Sequence, residues 1–260
     1  MASPSLIAVS GSTGLVGKAL IQGLSSDISV VHRITSSTID IGDIRGEVEV
    51  SARSGATYFL HLGWPASSSK EDYRTSRRNY DALEKTILLR QACREFKIHF
   101  VGVGSAVDHL PIHPNPYSLT KYLARMIFLE DIVDGQMSWV RPFYIFDEST
   151  WPHFLHRREQ GESSIIIHND QPRDFIHLSD VTQGIEAIIR EGIKGQIDLG
   201  CSELRRPSEI CSALGIEYEV VADDIQTSHL VSEAAVMNTE LCRVWSPNVT
   251  RSLLKGSNAG

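Results

Sequence analysis

A strand, a glycine-rich turn and a helix follow one another at the start of the chain, and no other feature constrains the fold as strongly. Ser5–Ser10 is a short apolar run, typical of a strand that is buried on both faces. The turn after it carries Gly11, Gly14 and Gly17, and residues 18–24 have apolar side chains at helical period. In this context the glycines allow a tight turn, a close approach of backbone to a phosphate, and close packing of the helix on the strand. The segment therefore predicts a dinucleotide-binding βα unit, although a turn that only joins strand to helix is the alternative.

Further apolar runs with strand character alternate with segments of helical period. The predicted strands are 28–33, 57–62, 98–103 and 137–141, and the predicted helices are 70–96, as one helix or two, and 117–132. Alternating strands and helices predict an α/β fold with a Rossmann doubly wound parallel sheet, in which ligands bind beyond the carboxyl ends of the strands. The residues expected at those ends are Gly11, Arg33, Leu62, Ser105 and Arg141.

Tyr117 and Lys121 are the pair of residues with the spacing best suited to acid/base catalysis. They are four residues apart, so on a helix both side chains lie on one face. An ammonium group beside a phenol lowers the phenol's pKa, which makes the phenol usable as an acid and base near neutral pH. Alone the pair is a weak signal, because a packed tyrosine followed by a solvated lysine has the same spacing.

Composition excludes several classes of function. The formal net charge of −7 argues against a general nucleic-acid surface or an anionic membrane surface. No apolar run approaches the roughly 20 residues of a membrane helix, and the first residues lack the pattern of a signal peptide. The four cysteines have no metal-binding or paired spacing, which predicts free thiols and a cytoplasmic protein.

The end of the second predicted strand bears on the choice of dinucleotide. An NAD site has an acidic residue there to accept from the ribose hydroxyls, whereas this chain has His32-Arg33. A guanidinium matches a 2′-phosphate, so the sequence favours NADP, with NAD as the alternative. A solvated Arg33 that closes an edge strand would give the same sequence.

Several motifs resemble, in order, those of the extended short-chain dehydrogenase/reductase family of nucleotide-sugar epimerases, dehydratases and reductases. The matching pieces are the glycine turn, Gly42-Asp43-Ile44-Arg45, His61-Leu62-Gly63, Asn79, Ser105, Pro116-Tyr117 with Lys121, Arg141-Pro142-Phe143, and Arg173 to Asp180. Together they span residues 5 to about 200.

The resemblance implies a role for each matching residue. Tyr117 would be the acid/base, Lys121 would lower its pKa and bond the nicotinamide ribose, and Ser105 would orient the reacting oxygen. The cofactor-binding residues would be Gly11, Thr13, Gly14, Leu15, Val16, Arg33, Asp43, Ile44, Leu62, Gly63, Tyr117, Lys121, Pro142 and Phe143. The substrate would contact Ser105, Tyr144 and Arg173.

Departures from the family pattern affect the rim of the predicted site. Gly104 stands where the family often has serine, Asp108-His109 replaces the usual Tyr-Gly, and Tyr144 replaces an asparagine. The stretch between Gly46 and Thr57 is so short that a helix usual in the family is expected to be missing.

The C-terminal part predicts a small α/β substrate-binding lobe interleaved with the Rossmann core. The expected domains are 1–145 for dinucleotide binding, 146–255 for the lobe and 256–260 as a flexible tail. The expected elements are a helix at 151–161, strands at 165–168 and 173–177, a helix at 178–190 opened by Ser179 and Asp180, and strand, helix and strand at 196–200, 207–214 and 217–222. Arg157 and Arg158 are candidate phosphate ligands or solvated residues. His153 and His156 have metal-ligand spacing without further ligands, so no metal site is predicted.

These observations favour an NADP(H)-dependent enzyme that reduces a keto group, at C4, of a nucleoside-diphosphate sugar. The alternatives are a nucleotide-sugar 4-epimerase with the same triad, a non-catalytic dinucleotide-sensing protein, and a reductase of other aldehydes or ketones. The resemblance also implies a homodimer through the helices at 70–96 and 117–132. Apolar residues there that exceed the need of one sheet face are Leu83, Ile87, Leu88, Leu123, Ile127 and Phe128.

Overall fold

The computed structural model describes residues 4–35, 43–65, 74–108, 115–147, 165–167, 170–221, 235–236 and 238–256. The helices are α1 (Leu15–Gly23), α2 (Ile44–Arg53), α3 (Arg78–Glu95), α4 (Pro116–Ile127), α5 (Leu129–Val133), α6 (Leu178–Glu191), α7 (Pro207–Ala213) and α8 (Asn248–Gly256). The strands are β1 (Ser5–Ser10), β2 (Ile28–Ile34), β3 (Tyr58–His61), β4 (His99–Val103), β5 (Ser138–Pro142), β6 (Tyr144–Phe146), β7 (Ile165–Ile167), β8 (Arg173–His177), β9 (Gly195–Leu199), β10 (Leu204–Arg205) and β11 (Tyr218–Val220).

Six parallel strands form the main sheet in the order β2-β1-β3-β4-β5-β9, which confirms the predicted α/β doubly wound fold. The strand order reverses at β1, because β2 lies on one side of it and β3 on the other. Ser10 is in register with both Ile34 and His61, so β1, β2 and β3 end at one level. In such a sheet the crevice at the reversal point is where ligands bind.

Helices cover both faces of the sheet because successive strand residues point to opposite sides. On β1, Ile7 and Val9 join one core cluster and Ala8 joins the other. The first cluster includes α1 and the apolar face of α6, and the second includes α2, α3 and α4. The chain therefore returns to the main sheet after residue 178, where α6 and β9 complete it.

The remaining C-terminal elements build a second, smaller core. β6, β8 and β10 form a three-stranded sheet, and β7 pairs with β11. Their apolar side chains pack with those of α7 and α8 in a cluster of Phe146, Ile167, Phe175, Ile210, Cys211 and Leu254. The strand β6 follows β5 directly in the chain. The smaller core therefore begins next to the carboxyl end of β5 in the main sheet.

The expectation that no helix lies between Gly46 and Thr57 is wrong, since α2 occupies residues 44–53. Ile44, Val48 and Ser51 face the core at helical spacing, while the other side chains of α2 are mostly charged. The exposed side is held by ion pairs of Arg45 with Glu95 and of Arg53 with Glu49. A helix rises only about 1.5 Å per residue, so this short segment is long enough.

Smaller expectations also need correction. The predicted helix 117–132 starts at Pro116 and breaks at Phe128 into α4 and α5. The N-cap of α6 is His177, whose Nδ1 accepts from the Ser179 amide at 3.2 Å, and not Ser179 or Asp180. Asp180 instead accepts from the Thr250 amide at 2.7 Å and so anchors α8, a helix that the sequence analysis did not predict.

Within the described residues, no helix has the length and apolar character needed to cross a membrane. Cys93, Cys201 and Cys211 are buried free thiols, and Cys242 is an exposed one.

Candidate active site

The glycine turn lies at the reversal point of the sheet and packs on the end of β3. Gly11 has φ +75°, and a Cβ added there would lie 2.6 Å from the main chain of Leu62 and Gly63. A Cβ at Gly17 would overlap the carbonyl oxygen of Gly11, so α1 approaches β1 as closely as predicted. At the N-cap of α1, Gly14 has no side chain that could accept from the first amides.

The start of α1 therefore offers main-chain N–H groups next to open surface. Thr13 and Gly14 are exposed, Leu15 and Val16 are half-buried, and the first turn of α1 contains no acidic residue. The partial positive charge of a helix N-terminus favours an anion at this place.

Arg33 is exposed at the end of β2 and adjoins this turn, because the Gly11 amide donates to the carbonyl of Ile34 at 3.0 Å. The neighbouring His32 is held by α2: its ring bonds Ser51 Oγ at 2.9 Å and lies 3.3 Å from Glu47. Arg33 is thus the residue of this pair that faces solvent beside the turn.

Asp43 and Ile44 open α2 near the same edge of the sheet. Asp43 is the exposed N-cap residue, whereas the Ile44 side chain is only 2% exposed and belongs to the core. If Ile44 contacts the cofactor, as the resemblance implies, it must do so through its main chain and not through its buried side chain.

Helix α4 carries Tyr117 and Lys121 and begins with a well-formed cap. Asn115 accepts from the Ser118 amide at 2.9 Å, and Ser118 Oγ accepts from the Asn115 amide at 3.2 Å. Pro116 at the first position supplies a backbone already suited to a helix. Tyr117 is half-buried in the first turn, and Lys121 lies one turn later on the same face.

Lys121 is buried, and its ammonium is held by groups from two strand ends. Nζ donates to the carbonyl oxygen of Val103 at 2.6 Å and lies 3.8 Å from the centroid of the Trp64 ring. Burial lowers the pKa of Lys121 to about 7, and the nearby charge of Asp108 opposes that shift. His61, which bonds Ser10 Oγ at 2.6 Å and Thr86 Oγ1 at 3.0 Å, has its pKa lowered to about 3 by burial and by Lys121.

Ser105 is half-buried in the turn that follows β4. This turn is closed in both directions, because the Ser105 amide donates to Asp108 Oδ2 at 3.2 Å and the Asp108 amide donates to the Ser105 carbonyl at 3.1 Å. Ser105 is two residues after Val103, the residue that binds Lys121. The structure therefore brings Ser105, Tyr117 and Lys121 to one end of the sheet, beside the Leu62-Gly63 segment that packs on the glycine turn.

Pro142 and Phe143 lie at the end of β5 and are both buried. The Phe143 amide donates to the Leu199 carbonyl at 2.9 Å, and the Phe143 ring packs with Ala106 and Ala235. Ala106 directly follows Ser105, so these residues form one wall of the space beside the serine turn.

The predicted substrate residues Tyr144 and Arg173 contact each other. The Arg173 guanidinium carbon lies 5.3 Å from the centroid of the Tyr144 ring. Burial and the charge of Arg74 lower the pKa of Arg173, against the influence of Tyr144 and Asp170. The main chain of Arg74 is joined to α4, since its carbonyl accepts from the Tyr117 amide at 3.0 Å. The guanidinium of Arg74 is near enough to Arg173 for its charge to act on it.

Sequence reasoning missed three of the residues that shape the site. They are Trp64, which stacks on Lys121, Arg74, which adjoins Arg173, and Asp108, which was noted only as a departure. Trp64 directly follows Leu62-Gly63, a position that could have drawn attention to it. The predicted helix 151–161, with His153, His156, Arg157 and Arg158, lies outside the described residues.

Comparison with known proteins identifies a family and several similar folds. The family model "NAD dependent epimerase/dehydratase family" matches residues 7–200. A sequence comparison with curated proteins found no match. Three solved structures are similar in fold. A dTDP-4-dehydrorhamnose reductase from Bacillus anthracis in complex with NADP has 15% identity and a TM-score of 0.71, with 98% of each chain covered.

The other two are epimerases. A UDP-N-acetylglucosamine 4-epimerase from Methanobrevibacter ruminantium has 16% identity and a TM-score of 0.69, with 98% of this chain and 97% of the other covered. A UDP-glucose 4-epimerase from Thermus thermophilus in complex with NAD has 15% identity and a TM-score of 0.67, with 97% of this chain and 99% of the other covered. The family match covers most of the chain and includes both the glycine turn and the Tyr117–Lys121 helix, so the chain belongs to the NAD dependent epimerase/dehydratase family.

Proposed function

We propose that the protein is an NADP(H)-dependent reductase that acts on a keto group, at C4, of a nucleoside-diphosphate sugar. The observation that carries the proposal is the convergence of Ser105, Tyr117 and Lys121 at the carboxyl end of β4, next to the glycine turn. A dinucleotide whose phosphates lie at the start of α1 would extend along this edge of the sheet toward those side chains.

The residues of the glycine turn fit a dinucleotide. Gly14 leaves the first amides of α1 without a side-chain cap, and Gly14 itself is exposed to solvent. Leu62 and Gly63 line the turn from β3, and Asp43 and Ile44 lie near its other side. When bound, the nicotinamide supplies the hydride that reduces the carbonyl carbon.

Tyr117 is the group that gives a proton to the carbonyl oxygen as it becomes a hydroxyl. Lys121, when charged, stabilises the phenolate that Tyr117 leaves behind, because an ammonium one helical turn away favours the anion. Ser105 donates to or orients the same oxygen from the opposite side, at the end of β4. The stacking of Trp64 and the Val103 carbonyl fix where the ammonium stands.

Arg33 supports NADP rather than NAD. It is an exposed cation at the end of β2, the place where an acidic residue would accept from an unmodified ribose. A net reductase consumes NADPH, so this preference also favours reduction over epimerisation. One similar structure is a reductase in complex with NADP, and another is RMD from Pseudomonas aeruginosa complexed with NADPH.

Arg173, with Arg74 close by, supports an anionic substrate such as a nucleoside diphosphate. Guanidinium groups bind phosphate oxygens bidentately. A bound anion would offset the burial and the repulsion from Arg74 that lower the pKa of Arg173. Tyr144 flanks Arg173 and would contact the same molecule. The C-terminal lobe that carries Arg173 is thus the proposed substrate-binding lobe.

A 4-epimerase is the second candidate, because two of the similar structures are nucleotide-sugar 4-epimerases, one of them bound to NAD. An epimerase would use the same triad to take a hydride and return it to the other face. It would hold its cofactor tightly and show no net consumption of NADPH.

We also propose a cytoplasmic homodimer that pairs through α3 and α4. Tyr80, Met126 and Ile127 on these helices are 46%, 40% and 52% exposed. Phe128, expected at this surface, instead lies in the core against Phe100 and Trp139, and Leu83, Ile87 and Leu88 pack partly against the same core. Light scattering on the wild type and on Ile127→Glu tests the dimer, which the variant should disrupt.

The first experiment is calorimetric titration of the purified protein with NADPH and with NADH, beside Arg33→Ala. Lys18→Ala, which removes another exposed cation from the same region, is the matched control. We expect tighter binding of NADPH that is lost in Arg33→Ala and kept in Lys18→Ala. Preference for NADH, or NAD already present in the purified protein, would support the epimerase, and no binding of either would reject both.

A further inference from the structure

Asp108 is a fully buried carboxylate that connects the serine turn to β5. Oδ2 accepts from the Ser105 amide at 3.2 Å and from the Trp139 indole at 2.9 Å, and Oδ1 lies 3.3 Å from Nη1 of Arg141. Arg141 is itself fixed by two bonds of 2.7 Å to Asp198 on β9. The turn that carries Ser105 is therefore attached, through Asp108, to two neighbouring strands.

Gly104 makes room for this carboxylate. A Cβ at Gly104 would overlap Asp108 Oδ2 and would lie 2.5 Å from Nε1 of Trp139. Any side chain at position 104 would thus displace either Asp108 or the indole that donates to it. The position that Asp108 occupies therefore requires glycine at 104.

The charge of the same carboxylate also acts on Lys121, the proposed catalytic lysine. Lys121 Nζ is bonded to the carbonyl of Val103, and the residue that follows Val103 is Gly104, against which Asp108 Oδ2 rests. The negative charge of Asp108 raises the pKa of Lys121 and so opposes the effect of burial. Without it, the buried ammonium would keep only a carbonyl and an aromatic face as partners in the described part of the chain.

Other charged groups around the pair do not replace Asp108. His61 lies near Lys121, but with a pKa lowered to about 3 it stays neutral at working pH. Burial raises the pKa of Asp108, and the positive charges of Arg141 and Arg125 oppose that rise. The Tyr117 phenol lies one turn from Lys121 on the same helix.

We propose that Asp108 is a positioning residue that fastens the Ser105 turn to β5 and favours the charged form of the nearby Lys121. The proposal rests on the proposed function, because Ser105 and Lys121 need to act together only in a reaction of that kind. Gly104 contributes to the same arrangement, because its lack of a side chain leaves room for the Asp108 carboxylate.

The test is a pH titration of the Lys121 side chain by NMR of the full chain, with ¹³C-labelled lysine and Lys121→Arg to assign the signal. Asp108→Asn keeps the shape of the side chain and removes its charge. We expect it to lower the titration midpoint of Lys121 by about 1 unit or more, the size of shift that a neighbouring opposite charge produces. The control is Asp198→Asn, which removes an equally buried partner of Arg141 without touching the Ser105 turn, and we expect a smaller shift. Equal shifts in the two variants, or no shift in Asp108→Asn, would overturn the proposal.

Two further variants keep the test decisive if Asp108→Asn does not fold. Asp108→Ser removes the same charge, leaves a hydroxyl that can accept from the Ser105 amide, and should lower the Lys121 midpoint in the same direction. Gly104→Ala should reduce the thermal unfolding midpoint more in the wild type than in an Asp108→Ser background, where the carboxylate is absent. Additive effects of these two changes would contradict the dependence of Gly104 on Asp108.

Failure of this proposal and failure of the proposed function give different results. The lysine titration needs neither cofactor nor substrate, so it reports on Asp108 even if the protein does not bind NADPH. Absence of NADPH binding in the wild type would reject the proposed function, whereas an Asp108-independent Lys121 titration in an NADPH-binding protein would reject the positioning role alone.

Discussion

The ammonium of Lys121 stands over the ring of Trp64, with 3.8 Å between Nζ and the ring centroid. The indole is oriented by its own N–H, which donates to Asn79 Oδ1 at 2.9 Å at the start of α3. A cation over an aromatic face is stabilised by the ring quadrupole, and more so when water is excluded. The residue after Leu62-Gly63 thus contributes to the charge state of the proposed catalytic lysine.

Trp64→Leu should lower the pKa of Lys121 further, because the leucine keeps an apolar surface but has no aromatic face. A cation–π contact contributes about 0.5–2 kcal/mol, so the expected shift is at most about 1.5 pKa units. Trp64→Phe keeps a ring and loses only the bond to Asn79, so its shift should be smaller. The lysine NMR titration measures both, and equal shifts would show that the ring face does not matter.

Lys121→Met should stabilise the protein at neutral pH while removing activity. The folded-state pKa of Lys121 is about 7, below the unfolded value of 10.5. The unfolded chain therefore binds the proton more tightly, and the penalty is fully present below the folded pKa and fades as pH rises toward the unfolded one. Burying a single ion in a protein costs several kcal/mol, a penalty that an apolar side chain of similar size does not carry.

Urea unfolding of Lys121→Met and wild type, at one pH below and one well above the folded pKa, measures this difference. The exposed Lys18→Met is the control and should show no such pH dependence. A gain in stability that is the same at both pH values would contradict the assigned direction of the pKa shift.

Gly11→Ala should destabilise the protein and weaken dinucleotide binding. The new Cβ would meet the main chain of Leu62 and Gly63 at 2.6 Å, in a conformation with φ +75° that L-residues rarely adopt. Backbone strain of this kind costs about 1–3 kcal/mol, to which the overlap adds. Gly23→Ala is the matched control in α1, since nothing lies within 4 Å of its added Cβ. The control should gain about 0.5 kcal/mol. Chemical denaturation measures both, and equal effects would show that the turn tolerates a side chain.

Tyr117→Phe should lower the kcat for reduction of a 4-keto nucleotide sugar by about 10²–10⁴-fold, the usual contribution of a general acid. The Kd for NADPH should hardly change, because the ring remains. Tyr122→Phe, a half-buried tyrosine on the same helix, is the control and should keep full activity. Spectrophotometric NADPH oxidation follows both variants, and an active Tyr117→Phe would remove Tyr117 from the mechanism.

Features that depend on near neighbours in the chain were predictable from the sequence. The glycine turn between β1 and α1 and the shared face of Tyr117 and Lys121 arise from backbone geometry over a few residues, which spacing alone specifies. The alternation of strands and helices fixed the parallel sheet, because parallel strands need such crossovers. Helix α2 was not predicted because the stretch between Gly46 and Thr57 is short, although a helix rises only about 1.5 Å per residue and needs little length.

Tertiary structure alone decided the contacts that set the chemistry of the site. Trp64, Asp108 and Arg141 reach α4 or the residues in contact with it only because strand order brings the ends of β3, β4 and β5 together. The depth of burial that lowers the pKa of Lys121 also depends on that packing. The sequence by itself determined which groups are available and at what local spacing. The folded sheet decided which of these groups lie together in a buried, low-dielectric environment. The strength of an electrostatic interaction depends on distance in space and on burial, and not on separation along the chain.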